Sequence, residues 1–154
     1  MNAESERFRS NLRNWSNEQL ARIWRAHKTG ELLNEDEKRL AARMAGHPEW
    51  ETWWERADDL GDAQPVTPGG VNPFACVFVE AAAEGMIAEH KQAASAYTAM
   101  TGCGLSHDDA RSEIGRALLG VMWEAEHRGV DPTQRLVDVL RQMEHGASAS
   151  AIFS

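Results

Sequence analysis

The sequence predicts an all-α protein of about six helices, and two observations support this fold class. Helix-capping signals recur along the chain: capping-box patterns occupy residues 16–19 and 34–37, and Asp131 stands before a proline at another predicted helix start. Between such signals the apolar residues recur at helical spacing, and no run alternates apolar and polar residues as a half-buried strand would. The local signals therefore favour helices throughout.

Each predicted helix has a start signal, an apolar face and a residue that ends it. Gly30, Gly46 and Gly129 follow the last apolar position of three of the helices, where glycine commonly ends a helix. The fourth helix begins at Asn72, a good N-cap, runs at least to His90 and continues in helix-forming residues. The six predicted helices cover about residues 16–30, 34–46, 49–60, 72–100, 106–129 and 131–145.

A stretch rich in Gly and Pro, residues 61–71, predicts a surface loop inside the chain. We expect it to separate a small Trp-rich helical subdomain, residues 16–60, from an antiparallel helical bundle, residues 72–145. The subdomain is expected to pack on the bundle, so that residues 16–145 form a single helical domain. Residues 1–15 are expected to be flexible, and residues 146–154 to be a disordered tail.

Composition and charge exclude several classes of partner. The net charge of −8 opposes binding to a phosphate backbone, so we expect no nucleic acid and favour a protein partner, one that is basic in particular. No segment approaches the roughly 18 consecutive apolar residues of a membrane span, and the first residues lack a secretory signal. Cys76 and Cys103 show no Cys-x-x-Cys spacing, which predicts free thiols in the cytoplasm.

Tryptophan is unusually frequent, with 6 residues in 154, and five of them lie in the first 54 positions. These rings either anchor the packing of short helices or form an aromatic docking surface for a partner. Trp53 and Trp54 cannot both point inward on one helix, because neighbouring residues are about 100° apart. Trp50, Trp53 and Trp54 are therefore the candidate partner-binding residues.

A row of polar residues on the fourth predicted helix is the candidate for chemistry. Cys76, Glu80 and Glu84 follow one another at four-residue steps and so share one helix face. They are candidate ligands of a zinc or iron ion, although no histidine joins them at helical spacing and no His-Glu-x-x-His motif occurs. The alternative is that both carboxylates face solvent or pair with arginines. The thiol of Cys103, four residues before His107, is best explained as part of a Gly-Cys-Gly turn, so no catalytic residue is assigned.

Several short motifs in order resemble a known family. They occupy residues 24–32, 47–49, 71–74, 107–110 and 122–129, with the helix of Glu80 and Glu84 between the third and fourth of them. Together they are similar to the bacterial domain of unknown function 1841 family, over roughly residues 20–142. The resemblance implies a small, soluble, helical bacterial protein, and it implies no established activity.

The departures from the family pattern suggest a different use of the polar row. The resemblance implies two histidines four residues apart after the Asn-Pro-Phe motif, and these positions hold Cys76 and Glu80 here. On the following helix, the positions matching His and Glu hold Ser112, Arg116 and Gly120. We therefore expect a structural pairing in place of a metal site. Its members are Glu80 and Glu84 on one helix and Arg111 and Arg116 on the next.

The sequence thus favours a non-enzymatic protein–protein interaction or accessory module that needs no cofactor. The alternative is a metal-binding helical-bundle protein with a Cys/Glu site between the fourth and fifth predicted helices, in which Glu113 or His107 joins Cys76, Glu80 and Glu84 to hold zinc or iron. The two interpretations differ in whether Glu80 and Glu84 meet arginines or a cation.

Overall fold

The computed structural model describes residues 17–60 and 67–154, and within them it confirms the all-α fold. These residues form eight α-helices, two short 3₁₀ helices and no strand. The α-helices are α1 (Asn17–Thr29), α2 (Glu35–Ala45), α3 (Glu51–Glu55), α4 (Pro73–Glu89), α5 (Lys91–Gly102), α6 (His107–Arg128), α7 (Pro132–Glu144) and α8 (Ala149–Ile152). None of the described helices is long and apolar enough to cross a membrane.

Local capping signals give several of the helix ends. The Asn34 side chain accepts a hydrogen bond from the backbone of Glu37, whose carboxylate accepts one from the Asn34 backbone in return, so the predicted capping box is confirmed. Ser106 caps α6 and Asp131 caps α7 in the same manner, by accepting from nearby backbone N–H groups. Gly129 ends α6 with φ of 66°, a left-handed conformation that glycine adopts without a steric cost.

Two of the predicted helices are divided in the structure. The segment predicted as one helix over residues 49–60 consists of the 3₁₀ helix Pro48–Trp50, α3, and the 3₁₀ helix Ala57–Leu60. A segment this short has little helical stability of its own, and its backbone conformation therefore depends on tertiary contacts. The long fourth helix ends at Glu89, and His90 adopts an extended backbone and caps α5 through its Nδ1 atom, 3.2 Å from the backbone nitrogen of Ala93.

The chain divides into two compact units, and the boundary between them lies within α4, between Ala81 and Ala82. The segment 1–15 that was expected to be flexible and residues 61–66 of the predicted loop lie outside the described residues. The described residues of the first unit, 17–60 and 67–81, share a core that packs α1 against α2, α3 and the start of α4. Its largest members are Leu20, Ile23, Trp24, Leu40, Met44, Trp54, Phe74 and Val77. Residues 82–154 have a separate core around α5, α6 and α7, built mainly from Met100, Ile114, Leu118, Val121, Leu136, Val139, Leu140 and Met143.

Trp54, one of the three expected partner-binding residues, is completely buried in the first core. Its Nε1 atom donates a hydrogen bond of 2.9 Å to the backbone oxygen of Met44, which satisfies the polar end of the ring. Trp50 and Trp53 pack against the same core and are only partly buried. Burying the large apolar ring of Trp54 favours folding, and the Met44 carbonyl supplies the acceptor that the ring nitrogen needs inside the core.

The C-terminal segment differs from the expected disordered tail. Ser148 caps α8 with its side chain, and Glu113 of α6 accepts a hydrogen bond of 2.9 Å from the Ala149 backbone. The ring of Phe153 packs directly over Gly120, in space that a side chain on this glycine would occupy. The tail is therefore ordered by α6, through a carboxylate and a glycine that lie far from it in sequence.

We predict that Gly120→Ala has opposite effects on stability with and without the Phe153 ring. A Cβ atom at position 120 would lie 2.6 Å from that ring, so the substitution should displace Phe153 and lower the free energy of unfolding. In a Phe153→Ala background the same change should raise it by up to about 1 kcal/mol, because alanine is the better helix former. Urea unfolding of the four proteins measures this coupling. Equal effects in the two backgrounds would contradict the docked tail.

Candidate functional site

The predicted polar row divides between the two compact units. Cys76 and Glu80 belong to the first unit and Glu84 to the second, although all three lie on α4. Each carboxylate has its own set of cationic and imidazole neighbours within its unit. The row therefore forms two separate clusters.

The Glu80 cluster joins the end of α2 to α4. The Nε atom of Arg43 lies 3.2 Å from one Glu80 oxygen, and the Nε2 atom of His47 lies 2.9 Å from the same oxygen. The other ring nitrogen of His47, Nδ1, lies 2.8 Å from a carboxylate oxygen of Glu49, and the imidazole stacks on Trp50 at 4.4 Å. Because ionised carboxylates only accept, both contacts of the imidazole are hydrogen bonds when both of its nitrogens carry hydrogen. In that state a cation lies between two carboxylates.

The Glu84 cluster joins α4, α5 and α6. One carboxylate oxygen of Glu84 lies 2.8 Å from Nε2 of His107 and 3.2 Å from Nη1 of Arg111. The hydroxyl of Tyr97 lies 2.7 Å from the remaining His107 nitrogen, Nδ1. Arg111 also pairs with Asp108 at 3.3 Å, and its Nε atom is buried with no hydrogen-bond partner among the described residues. A hydroxyl, an imidazole and a carboxylate thus form a continuous chain.

Such a chain is the arrangement by which a carboxylate orients a histidine base toward a hydroxyl group. Here, however, Arg111 shares the same Glu84 oxygen as His107. The guanidinium thus shares the acceptor that would otherwise serve the imidazole alone. The chain is therefore better suited to holding three helices together than to transferring a proton.

The thiol of Cys76 is poorly suited to chemistry. Burial raises the pKa of Cys76, and the nearby charge of Glu80 raises it further, so the thiol stays protonated at neutral pH. In addition, no group of three or more His, Cys, Asp or Glu residues in the described parts of the chain is arranged to hold a metal ion. In the described residues, the two carboxylates of the polar row therefore take part in ion pairs and hydrogen bonds.

The structure brings together one of the predicted arginine pairs. Glu84 meets Arg111, which is almost completely buried, whereas Arg116 is exposed and pairs with Glu113 one turn earlier on its own helix, at 2.7 Å. The partners of Glu80 were missed. His47 lies in one of the motifs that carry the family resemblance, and that motif could have indicated its role. No local pattern indicated Arg43.

The outward face of α6 carries a second feature that the sequence analysis missed. Leu119 and Trp123 are 48% and 50% exposed, and they lie one turn apart on the same face. Arg116 and Glu126, also exposed, stand one turn before and one turn after them. We call these four residues the α6 stripe. Apolar residues at a four-residue step on the polar side of the helix were the available signal.

The ring of Trp123 is held in place by its own helix. His127 stacks on it with the ring centroids 4.5 Å apart, and its Nδ1 atom lies 3.0 Å from the backbone oxygen of Trp123. The guanidinium of Arg128 lies 5.3 Å from the Trp123 ring centroid. These contacts fix the orientation of the tryptophan while half of its surface stays accessible to solvent.

The fold and its clusters define an all-α protein in whose described residues Glu80 and Glu84 each pair with an arginine and a histidine. Comparison with known proteins then gives the family: the chain belongs to the DUF1841 family, a domain of unknown function, whose family model matches residues 12–142. The resemblance noted in the sequence is thereby confirmed. No curated protein and no solved structure matches the chain. The family is a domain of unknown function, so the function has to be inferred from the geometry of the described residues.

We predict that Arg111→Met lowers the free energy of unfolding by about 1–3 kcal/mol, because it leaves Glu84 without its buried cation. The loss is smaller than for a fully buried pair, since Glu84 is partly exposed and keeps His107. Arg25→Met is the matched control and should change stability by less than about 0.5 kcal/mol, because both side chains of its pair with Asp58 are exposed. Urea unfolding compares the two. Equal losses of unfolding free energy would show that the Arg111 contact stabilises the fold no more than a surface ion pair does.

The two cysteines should differ in reactivity. Iodoacetamide should modify the exposed Cys103 at least about tenfold faster than Cys76, whose thiol is half-buried and has a raised pKa. Mass spectrometry of the native protein at pH 7.5 measures both rates, with Cys76→Ser and Cys103→Ser as single-thiol controls. The difference should vanish in denaturant. Rapid modification of Cys76 in the native protein would mean that its thiol is accessible and ionised.

Proposed function

We propose that this protein is a non-enzymatic interaction module that binds another protein chain through the α6 stripe. The observation that carries the proposal is the exposure of Leu119 and Trp123, side by side on one helix face. Half of each side chain remains in water, and covering it with a partner would remove that apolar surface from water. A helix face of this kind is a common docking element in protein recognition.

The residues of the α6 stripe are of the types that contribute most to binding energy. Tryptophan and arginine are enriched among the few interface residues whose truncation costs about 2 kcal/mol or more. Trp123 is oriented by His127 and Arg128, so little side-chain freedom is lost when a partner covers it. Arg116 and Glu126 place one charge of each sign beside the apolar pair, which favours a partner whose surface also carries both signs.

The other polar clusters support a non-enzymatic role. Glu80 is engaged by Arg43 and His47, and Glu84 by Arg111 and His107. Charges that are paired in this way stabilise the fold and are less available to a substrate. The proposal therefore moves the partner surface from the N-terminal tryptophans, one of which is buried, to α6.

Site-specific photo-crosslinking in cells tests this function. A benzophenone amino acid at position 119 should capture a protein that mass spectrometry identifies, and Trp123→Ser should reduce the yield at least about fivefold. The matched control places the same group at Leu32, which is 95% exposed and stands in the loop between α1 and α2. Equal capture at the two positions, or no capture at position 119, would contradict the proposal.

A further inference from the structure

The α6 stripe has a spacing that makes it complementary to itself. Arg116, Leu119, Trp123 and Glu126 are separated by three, four and three residues, which is the spacing of the contact positions in a coiled coil. The order along the helix is positive, apolar, apolar, negative. Read in the opposite direction, the same stripe is negative, apolar, apolar, positive, so two copies match when they lie antiparallel.

We infer that the partner of the α6 stripe is a second copy of this chain, bound with the two α6 helices antiparallel about a two-fold axis. This inference rests on the proposed interaction function and names its partner. In the antiparallel register, Leu119 of each copy packs on Trp123 of the other. At the same time, Arg116 of each copy meets Glu126 of the other. A two-fold interface repeats every contact, so one row of four residues supplies two apolar contacts and two ion pairs.

The charges of the stripe are free to change partners. Arg116 is 60% exposed and pairs with Glu113 across one turn of its own helix; Glu113 is 15% exposed and keeps its hydrogen bond from the Ala149 backbone when the guanidinium turns outward. Exchanging that pair for a contact with Glu126 of a second copy therefore costs little. A parallel pairing would instead place like charges opposite each other at both ends of the stripe, which selects against it.

The size of the stripe indicates weak association. A standard interface buries about 800 Å² on each partner, and a single row of four side chains covers less than that. The dimer is therefore expected to form and dissociate with concentration. High salt should weaken it, because both ion pairs lie at the rim of the contact.

Sedimentation velocity of the full chain over a concentration series tests the inference. The wild type should shift from monomer to dimer as its concentration rises, and Leu119→Ser should raise the dissociation constant at least about tenfold. Leu32→Ser is the matched control and should leave the shift unchanged. A wild type that stays monomeric at millimolar concentration, or a dimer that Leu119→Ser does not weaken, would overturn the inference.

Charge reversal tests the antiparallel register, and circular dichroism of each variant checks that it is folded. Arg116→Glu alone places two glutamates opposite each other, and Glu126→Arg alone places two arginines opposite each other, so neither variant should self-associate. Mixed together, the two variants should form a heterodimer, because every charge then faces its opposite. A mixture that stays monomeric while the wild type dimerises would overturn the register.

The two proposals can fail separately. If the purified chain is monomeric but position 119 captures a different identified protein in cells, the second-copy inference is wrong and the interaction function stands. If position 119 captures nothing in cells, including a second copy of this chain, the interaction function itself is wrong.

Discussion

Two carboxylates on an otherwise apolar helix impose the constraint on which the polar organisation of this protein depends. Glu80 and Glu84 interrupt the apolar sequence of α4, and a partly buried carboxylate is costly unless a cation or donor compensates it. Each is compensated within its own compact unit, Glu80 by Arg43 and His47, and Glu84 by Arg111 and His107. These pairs tie α4 to α2 in one unit and to α6 in the other. In each pair, removing the arginine would leave a partly buried carboxylate without its cation.

Whether a tryptophan is buried depends on the same two factors: the apolar area it removes from water and a partner for its ring nitrogen. Trp54 has an acceptor for its ring nitrogen inside the core, the Met44 carbonyl, and it is completely buried. Trp123 lies on a helix whose opposite face is already occupied by Ile114, Leu118 and Val121, so its ring is left on the outside. A tryptophan is therefore a core residue or a surface residue according to the helix face that carries it.

The two faces of α6 give the structure both its stability and its proposed function. The inner face supplies part of the second core, and Arg111 anchors Glu84 at its edge. The outer face bears the α6 stripe, and between the two faces Glu113 and Gly120 hold the C-terminal segment. Because one helix carries all of these contacts, a change in its sequence can alter packing, tail docking or association separately, according to the face on which it lies.

Several features of the fold follow from interactions between residues that are close in the chain. The all-α class, the capping box at Asn34, and the ends of α6 at Ser106 and Gly129 follow from neighbouring residues, so local patterns were sufficient. The pairing of Glu84 with Arg111 could be predicted because helical spacing places each residue beside the apolar stripe of its helix.

The remaining features depend on contacts that local sequence patterns do not specify. The pairing of Arg43 with Glu80 and the docking of Phe153 on Gly120 join segments that are distant in sequence. Trp53 and Trp54 are nearly equivalent in local pattern, yet only Trp54 is fully buried. The division of residues 48–60 likewise has no local signal. Local periodicity says which face of a helix is apolar. Which neighbour covers that face, and which polar groups meet across it, depends on packing that only the folded chain defines.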